Sequence, residues 1–117
     1  MTKYTDAQTV AVLRKAAMLI KKGFTKGTCA RGAEGWEVFV HSKTACSFCT
    51  LGALIKVAKD DSHPVFNYAT DCLQRQKIPG VAFLSTWNDK PERTKEDVVT
   101  FLRACARKLQ AKAKKAL

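Results

Sequence analysis

Five cysteines (Cys29, Cys46, Cys49, Cys72 and Cys105) and two histidines (His41 and His63) are the side chains of this sequence best suited to chemistry. Cys46-Ser-Phe-Cys49 has the two-residue spacing shared by redox dithiols and zinc ligands. A dithiol of thioredoxin type needs a helix N-terminus behind a buried strand, where the helix dipole lowers the thiol pKa. The segment ahead of this pair, His41-Ser-Lys-Thr-Ala45, is polar and reads as a loop, which argues against redox chemistry. Zinc could draw on Cys46, Cys49, His41 and His63, but the order His-x4-Cys-x2-Cys-x13-His matches no usual finger spacing. A Cys49 nucleophile with His41 or His63 as base has only its residue types in its favour, because Cys49 sits in a strongly apolar run. The sequence therefore predicts no catalytic residue, no metal ligand and no cofactor, and the chain reads as non-enzymatic. Five is an odd number, and the first twenty residues read as a charged helix and not as an export signal, so reduced thiols are expected. Cys72 and Cys105 fall on apolar helix faces, where a thiol packs as a small hydrophobe.

Charge is the second chemical resource. The 117 residues hold 21 Lys plus Arg against 10 Asp plus Glu, a formal net charge of +11. Residues 1–24 carry +4 of it and residues 95–117 carry +5, leaving a nearly neutral middle. Such polarity points to a partner of negative charge. The candidate contacts are Arg14, Lys15 and Lys22 in the first helix, with Arg103, Arg107, Lys108, Lys112, Lys114 and Lys115 in the last. No aromatic platform is interleaved with them, so the expected contact is with a nucleic-acid backbone and not with bases. The alternative partner is an acidic surface of a host protein, which the chain would modulate or inhibit. No apolar run approaches the roughly 20 residues of a membrane span, so no membrane partner is expected and a cytoplasmic setting is. Oligomeric state is not legible.

These residues need elements to position them, and the length suits one α+β, mainly α, domain over residues 1–117. Val10, Leu13, Ala17 and Ile20 recur at helical spacing after a cap at Thr5, predicting a helix over 6–22 that stops at Gly23. Residues 25–30 and 36–40, separated by Arg31-Gly-Ala-Glu-Gly35, read as a small β-hairpin with Trp36, Val38 and Val40 on its buried face. The apolar run 46–58 predicts a second helix, packed over 48–58 at the centre of the core, with Gly52 marking close approach of another backbone. A third helix is expected over 64–76. Residues 81–93 read as an irregular segment pinned by Val81, Phe83, Leu84 and Trp87, in which Asn88 and Asp89 make a turn. Thr94-Lys-Glu-Asp97 opens the fourth helix with a cap and two acids, the arrangement the helix dipole favours.

Two stretches carry a resemblance. Cys49-Thr-Leu-Gly-Ala-Leu54, followed by Trp87-Asn-Asp-Lys-Pro-Glu-Arg-Thr-Lys-Glu-Asp-Val98, resembles a family of small uncharacterised proteins of bacteriophages and bacteria. Its members pair a Cys-x-Leu-Gly-Ala-Leu helix with a (Phe/Trp)-Asn-Asp-x-x-x-Arg-Thr helix start. The resemblance implies a compact α-rich domain, a cytosolic setting (the host cytoplasm for a phage protein) and no established enzymatic activity. Its recurrent residues, here Cys49, Leu51, Gly52, Asn88, Asp89, Arg93 and Thr94, suit fold maintenance as well as a site. Cys46 and the basic C-terminal extension lie outside the pattern.

Overall fold

Apolar residues at three- and four-residue spacing make an α-helix, α1 (Asp6–Lys22), whose Val10, Leu13, Ala16, Ala17 and Ile20 are all buried. The computed structural model describes residues 6–59, 64–76 and 84–115, without the side chains of Pro64, Gln76 and residues 113–115. The expected cap at Thr5, the packing of Val81 and Phe83, and His63 lie outside the described residues. After α1 come β1 (Ala30–Gly32), β2 (Ala45–Phe48), α2 (Thr50–Ala58), α3 (Pro64–Gln76), α4 (Leu84–Asp89) and α5 (Lys95–Lys115). The fold is mainly helical with one two-stranded antiparallel sheet, and α1, α3 and α5 occupy the stretches their periodicity predicts.

The centre of the core differs from expectation. It is α1 and not α2: α1 packs most extensively on α5 and also touches α2, α3 and β2. The reason is side-chain size. Ala16, Ala17 and Ala106 are fully buried, and such small residues let α1 and α5 lie close over most of their length. Val98, Leu102, Cys105 and Leu109 complete the α5 face of the core. The nine-residue α2 is too short for that role, and its Leu51, Ile55 and Val57 are only partly buried.

The hairpin also differs. The expected turn forms, with Gly35 N donating to Gly32 O at 3.0 Å and Gly32 N to Trp36 O at 2.9 Å. The arm 36–40 then contributes only a bridge between Arg31 and Glu37 and a bond from Val38 N to Ala30 O. The ladder partner of β1 is β2, in the register Ala30 with Phe48, Arg31 with Ser47 and Gly32 with Ala45. Burial explains the choice: this register sets Phe48 beside the fully buried Ala30, whereas Trp36 and Phe39 stay in water. Residues 45–48, expected as loop and helix, are therefore strand, and extended Cys49 (φ −82°, ψ 174°) separates them from α2.

Where strand and helix meet, two glycines allow contact between backbones. A Cβ on Gly52 would lie 2.8 Å from the carbonyl carbon of Cys29, which is the close approach the sequence predicts. A Cβ on Gly23 would strike the Cys46 carbonyl and come within 3.0 Å of Ser47 Cα. Gly23 thus ends α1 by making room for β2.

Candidate interaction face

The direction of the two long helices follows from their contacts. Arg14 Nη2, midway along α1, donates to Gln110 Oε1 late in α5 at 2.7 Å, whereas Lys21 at the end of α1 lines a groove with Lys95, Glu96, Val99, Thr100 and Arg103 at the start of α5. The helices are antiparallel, so charges some 90 residues apart in sequence are interleaved along one seam. Lys21 and Arg103 meet there, Arg14 stands about two turns back along α1 beside Gln110, and Arg107 is exposed one turn beyond Arg103.

The opposite edge of exposed α1 faces α2. Lys15 and Lys22 line a second groove with Met18, Leu19, Lys56, Val57 and Lys59. The exposed surface of α1 thus carries Arg14 and Lys21 on the α5 side, Lys15 and Lys22 on the α2 side, and Met18 between them at 57% exposure. No described carboxylate forms an ion pair with Lys15, Lys21, Lys22, Lys56, Lys59, Arg103 or Arg107, although Glu96 lies in the seam.

Lys108 and Lys112 are not part of this surface. They lie on the other flank of α5 and line a small cavity against α3 with Tyr68, Asp71, Cys72, Arg75 and Leu109. The α5 helix presents two basic flanks because its buried stripe is flanked by α1 on one side and α3 on the other. The side chains of Lys114 and Lys115 lie outside the described residues. Lys21, Lys56, Lys59 and Lys95 belong with the candidate residues that sequence reasoning named. Lys21 was within reach of that reasoning, since it repeats Arg14 at seven residues on the same face. Lys56 and Lys59 come next to α1 only through packing of α2.

The residues of the Cys49–Leu54 and Trp87–Val98 stretches assemble elsewhere, around a buried polar node. Asn88, fully buried on α4, accepts at Oδ1 from Thr50 N (2.8 Å) and Thr50 Oγ1 (2.6 Å). Its Nδ2 donates to Thr25 O (3.3 Å) and Asp89 Oδ1 (2.9 Å), so all four hydrogen-bonding positions of the amide are used. Asn88 and Asp89 therefore do not form the local turn expected of them. They tie segments far apart in the chain, Asp89 by accepting from Gly27 N at 3.1 Å. Lys26 Nζ reinforces the tie by donating to Lys90 O at 2.6 Å. Arg93 donates Nε to Trp87 O at 2.9 Å and stacks over the Trp87 ring at 4.2 Å. Thr94 and Asp97 exchange side-chain-to-backbone bonds that close the first turn of α5.

Cys49 belongs to the same node. Its Sγ caps α2 by accepting from Gly52 N at 3.3 Å, and its N–H donates to Cys29 O at 3.1 Å. A strand does precede this helix start, as a dithiol site requires. The electrostatics are opposite: burial pushes the Cys49 thiol up to about 12, although the Gly52 N–H pulls the other way. Cys46 is exposed on β2, so the two cysteines occupy unlike environments. Among the described residues no three His, Cys, Asp or Glu side chains are grouped to hold a metal ion, and no described helix is long and apolar enough to cross a membrane.

The family pattern of DUF6197, described as a family of unknown function, matches residues 5–108. The chain belongs to that family. No curated protein and no solved structure matches it. The DUF6197 match takes in the whole node and the Lys21–Arg103 part of the α1–α5 seam, and it ends before Gln110, Lys112, Lys114 and Lys115.

Proposed function

We propose that this DUF6197 protein is a small non-enzymatic binding protein that lays the exposed face of α1 and the adjoining edge of α5 against a nucleic-acid backbone. The observation that carries the reading is the antiparallel seam, which sets Lys21 beside Arg103 with Arg14 farther along the same edge of α1, while Lys15 and Lys22 line the other edge. Cations held on two rigid helices, and not in ion pairs of their own, are positioned to displace counterions from phosphates. Arg14, Lys15, Lys21, Lys22 and Arg103 all stand on helices with no aromatic platform interleaved among them, so the reading is one of backbone contact without sequence discrimination.

The test is binding to random-sequence DNA and RNA over a salt series. Five contacts on duplex DNA correspond to a slope of log affinity against log salt of about −4 to −5. Lys21→Glu with Arg103→Glu should flatten that slope by about two, whereas Lys112→Glu, on the α3 flank, should leave it nearly unchanged. No binding at low salt overturns the reading. It would favour the second candidate, an acidic protein surface such as that of a host protein, for which the exposed Met18 amid the charges speaks. Met18→Asp would then abolish capture of the partner and is the substitution that separates the two.

A further inference from the structure

One exposed surface is unexplained by backbone binding, and it complements the groove between α1 and α2, whose Lys15 and Lys22 also belong to the proposed backbone-binding face. The excursion between β1 and β2, residues 33–44, holds Trp36 at 74% and Phe39 at 88% exposure. It is not slack. Beyond the turn bonds at Gly32 and Gly35, Ser42 N donates to Phe39 O at 2.9 Å, Ala45 N donates to Ser42 O at 3.2 Å, and Arg31 Nη1 donates to Gly35 O at 3.0 Å. An aromatic side chain held in water on a braced backbone loses little further freedom when it meets a partner. Tryptophan is also among the residue types most enriched at the energetic centres of interfaces. Glu34 and Glu37, both exposed, flank this one.

The second surface is the groove of about 370 Å³ between α1 and α2. Met18, Leu19 and Val57 give it apolar lining, and Lys15, Lys22, Lys56 and Lys59 line it with positive charge. Lys59 takes up its place with φ +85°, a conformation that non-glycine residues adopt at a cost.

We propose that this groove receives Trp36 of a second copy of the chain. The indole lies against Met18, Leu19 and Val57, where thioether and ammonium groups both favour an aromatic ring, and Glu34 and Glu37 face the four lysines. Loop and groove are different patches, so the contact is head to tail, and every open assembly still offers one free loop at one end and one free groove at the other. Growth is then open-ended unless the rotation closes a ring. A single anchor with its surround falls short of the roughly 1,200 Å² typical of stable interfaces, so the association is weak and concentration-dependent. It goes beyond nucleic-acid binding and is tested without nucleic acid.

Sedimentation velocity of the full chain from micromolar to millimolar concentration reads the proposal directly. The expected result is an average mass rising above 12.9 kDa with concentration and falling back as salt screens the lysines. Trp36→Ala should lower the association constant at least about tenfold. Two surface variants, checked for native circular dichroism, give the decisive arm. Glu34→Lys with Glu37→Lys repels its own groove, and reversal of all four groove lysines (Lys15→Glu, Lys22→Glu, Lys56→Glu and Lys59→Glu) repels its own loop, so each alone should be monomeric. Mixed, they present matched pairs in both directions and should associate again. A wild-type mass that stays at 12.9 kDa throughout, an unchanged Trp36→Ala variant, or a mixture that stays monomeric overturns the proposal.

Discussion

Removing the Asn88 amide tests whether the buried polar node holds the fold. Asn88→Ala leaves three buried groups without partners: Thr50 N–H, Thr50 Oγ1–H and Thr25 C=O. Asp89 is exposed and can rehydrate, so it adds little. At about 1 kcal/mol or more for each unsatisfied group, the loss is at least about 3 kcal/mol, with about 5 kcal/mol as the level single substitutions rarely exceed. A domain of this size has a total stability of about 5–15 kcal/mol, and each kcal/mol is about 4 °C in Tm, so the midpoint should fall by about 12–20 °C. Urea and thermal unfolding followed by circular dichroism measure it.

Asn88→Asp sharpens the test because it keeps the shape and the acceptor for Thr50. It replaces the donor to Thr25 O with a second acceptor and buries a charge beside Asp89. The carboxyl of this variant is held above its usual pKa by burial, so the folded state keeps a proton that the unfolded state has lost. Stability relative to wild type must then fall as pH rises through the carboxylate range and recover toward acid, where the protonated carboxyl can donate again. A loss under about 1 kcal/mol for Asn88→Ala, or an Asn88→Asp variant as stable as wild type at neutral pH, refutes the role given to the node.

Three further predictions follow from neighbouring contacts. Gly52→Ala should cost on the order of 2–3 kcal/mol in urea unfolding, because its Cβ would press on the Cys29 backbone, which cannot yield as a flexible side chain does. Thr94→Ala should cost about 1 kcal/mol as a lost cap. The Thr94 N–H holds the Asp97 carboxyl below its usual 3.8, so this stabilisation is present above that pH and disappears as pH falls through the lower folded value; Asp97→Asn should remove that acid-side loss. Alkylation at neutral pH, read by mass spectrometry, should modify exposed Cys46 first and Cys49 and Cys105 last. Burial pushes both late thiols up to about 12, so their contribution to stability is intact below 9.0 and is lost as pH rises from there toward 12.

What the sequence made legible was decided by the range of the interactions. The helices α1 and α5 follow from apolar spacing and, in α5, from the Thr94–Asp97 start, all of which act within one or two turns. Residues 45–48 lack that local signature: Ala-Cys-Ser-Phe has no polar alternation, and it runs into an apolar helix, so a short strand and a helix read as one element. The six residues of α4 are too few to show a period. Asn88 looked like a turn residue because its partners, Thr25 and Thr50, are 63 and 38 residues away. The same limit applies to the basic face. Periodicity places Arg14 and Arg103 on exposed flanks, but only packing shows that the Arg103 flank meets α1 whereas Lys108 and Lys112 meet α3.

The node and the face differ in what they ask of a side chain. Every group at the node is answered by another part of the same chain: Asn88 by Thr25 and Thr50, Asp89 by Gly27, and Arg93 by Trp87. A substitution there is felt first as lost stability. Lys15, Lys21, Lys22, Arg103 and Arg107 are exposed and make no described ion pair, so their replacement should leave the fold intact. Function is carried by sites set on a fold and not by the fold itself. Side chains the fold does not need, gathered in one place by the antiparallel packing of two helices, are therefore where the activity of this chain is to be sought. Charge reversal at Lys21 and Arg103 with unchanged Tm and a flattened salt slope is the result that would join the two.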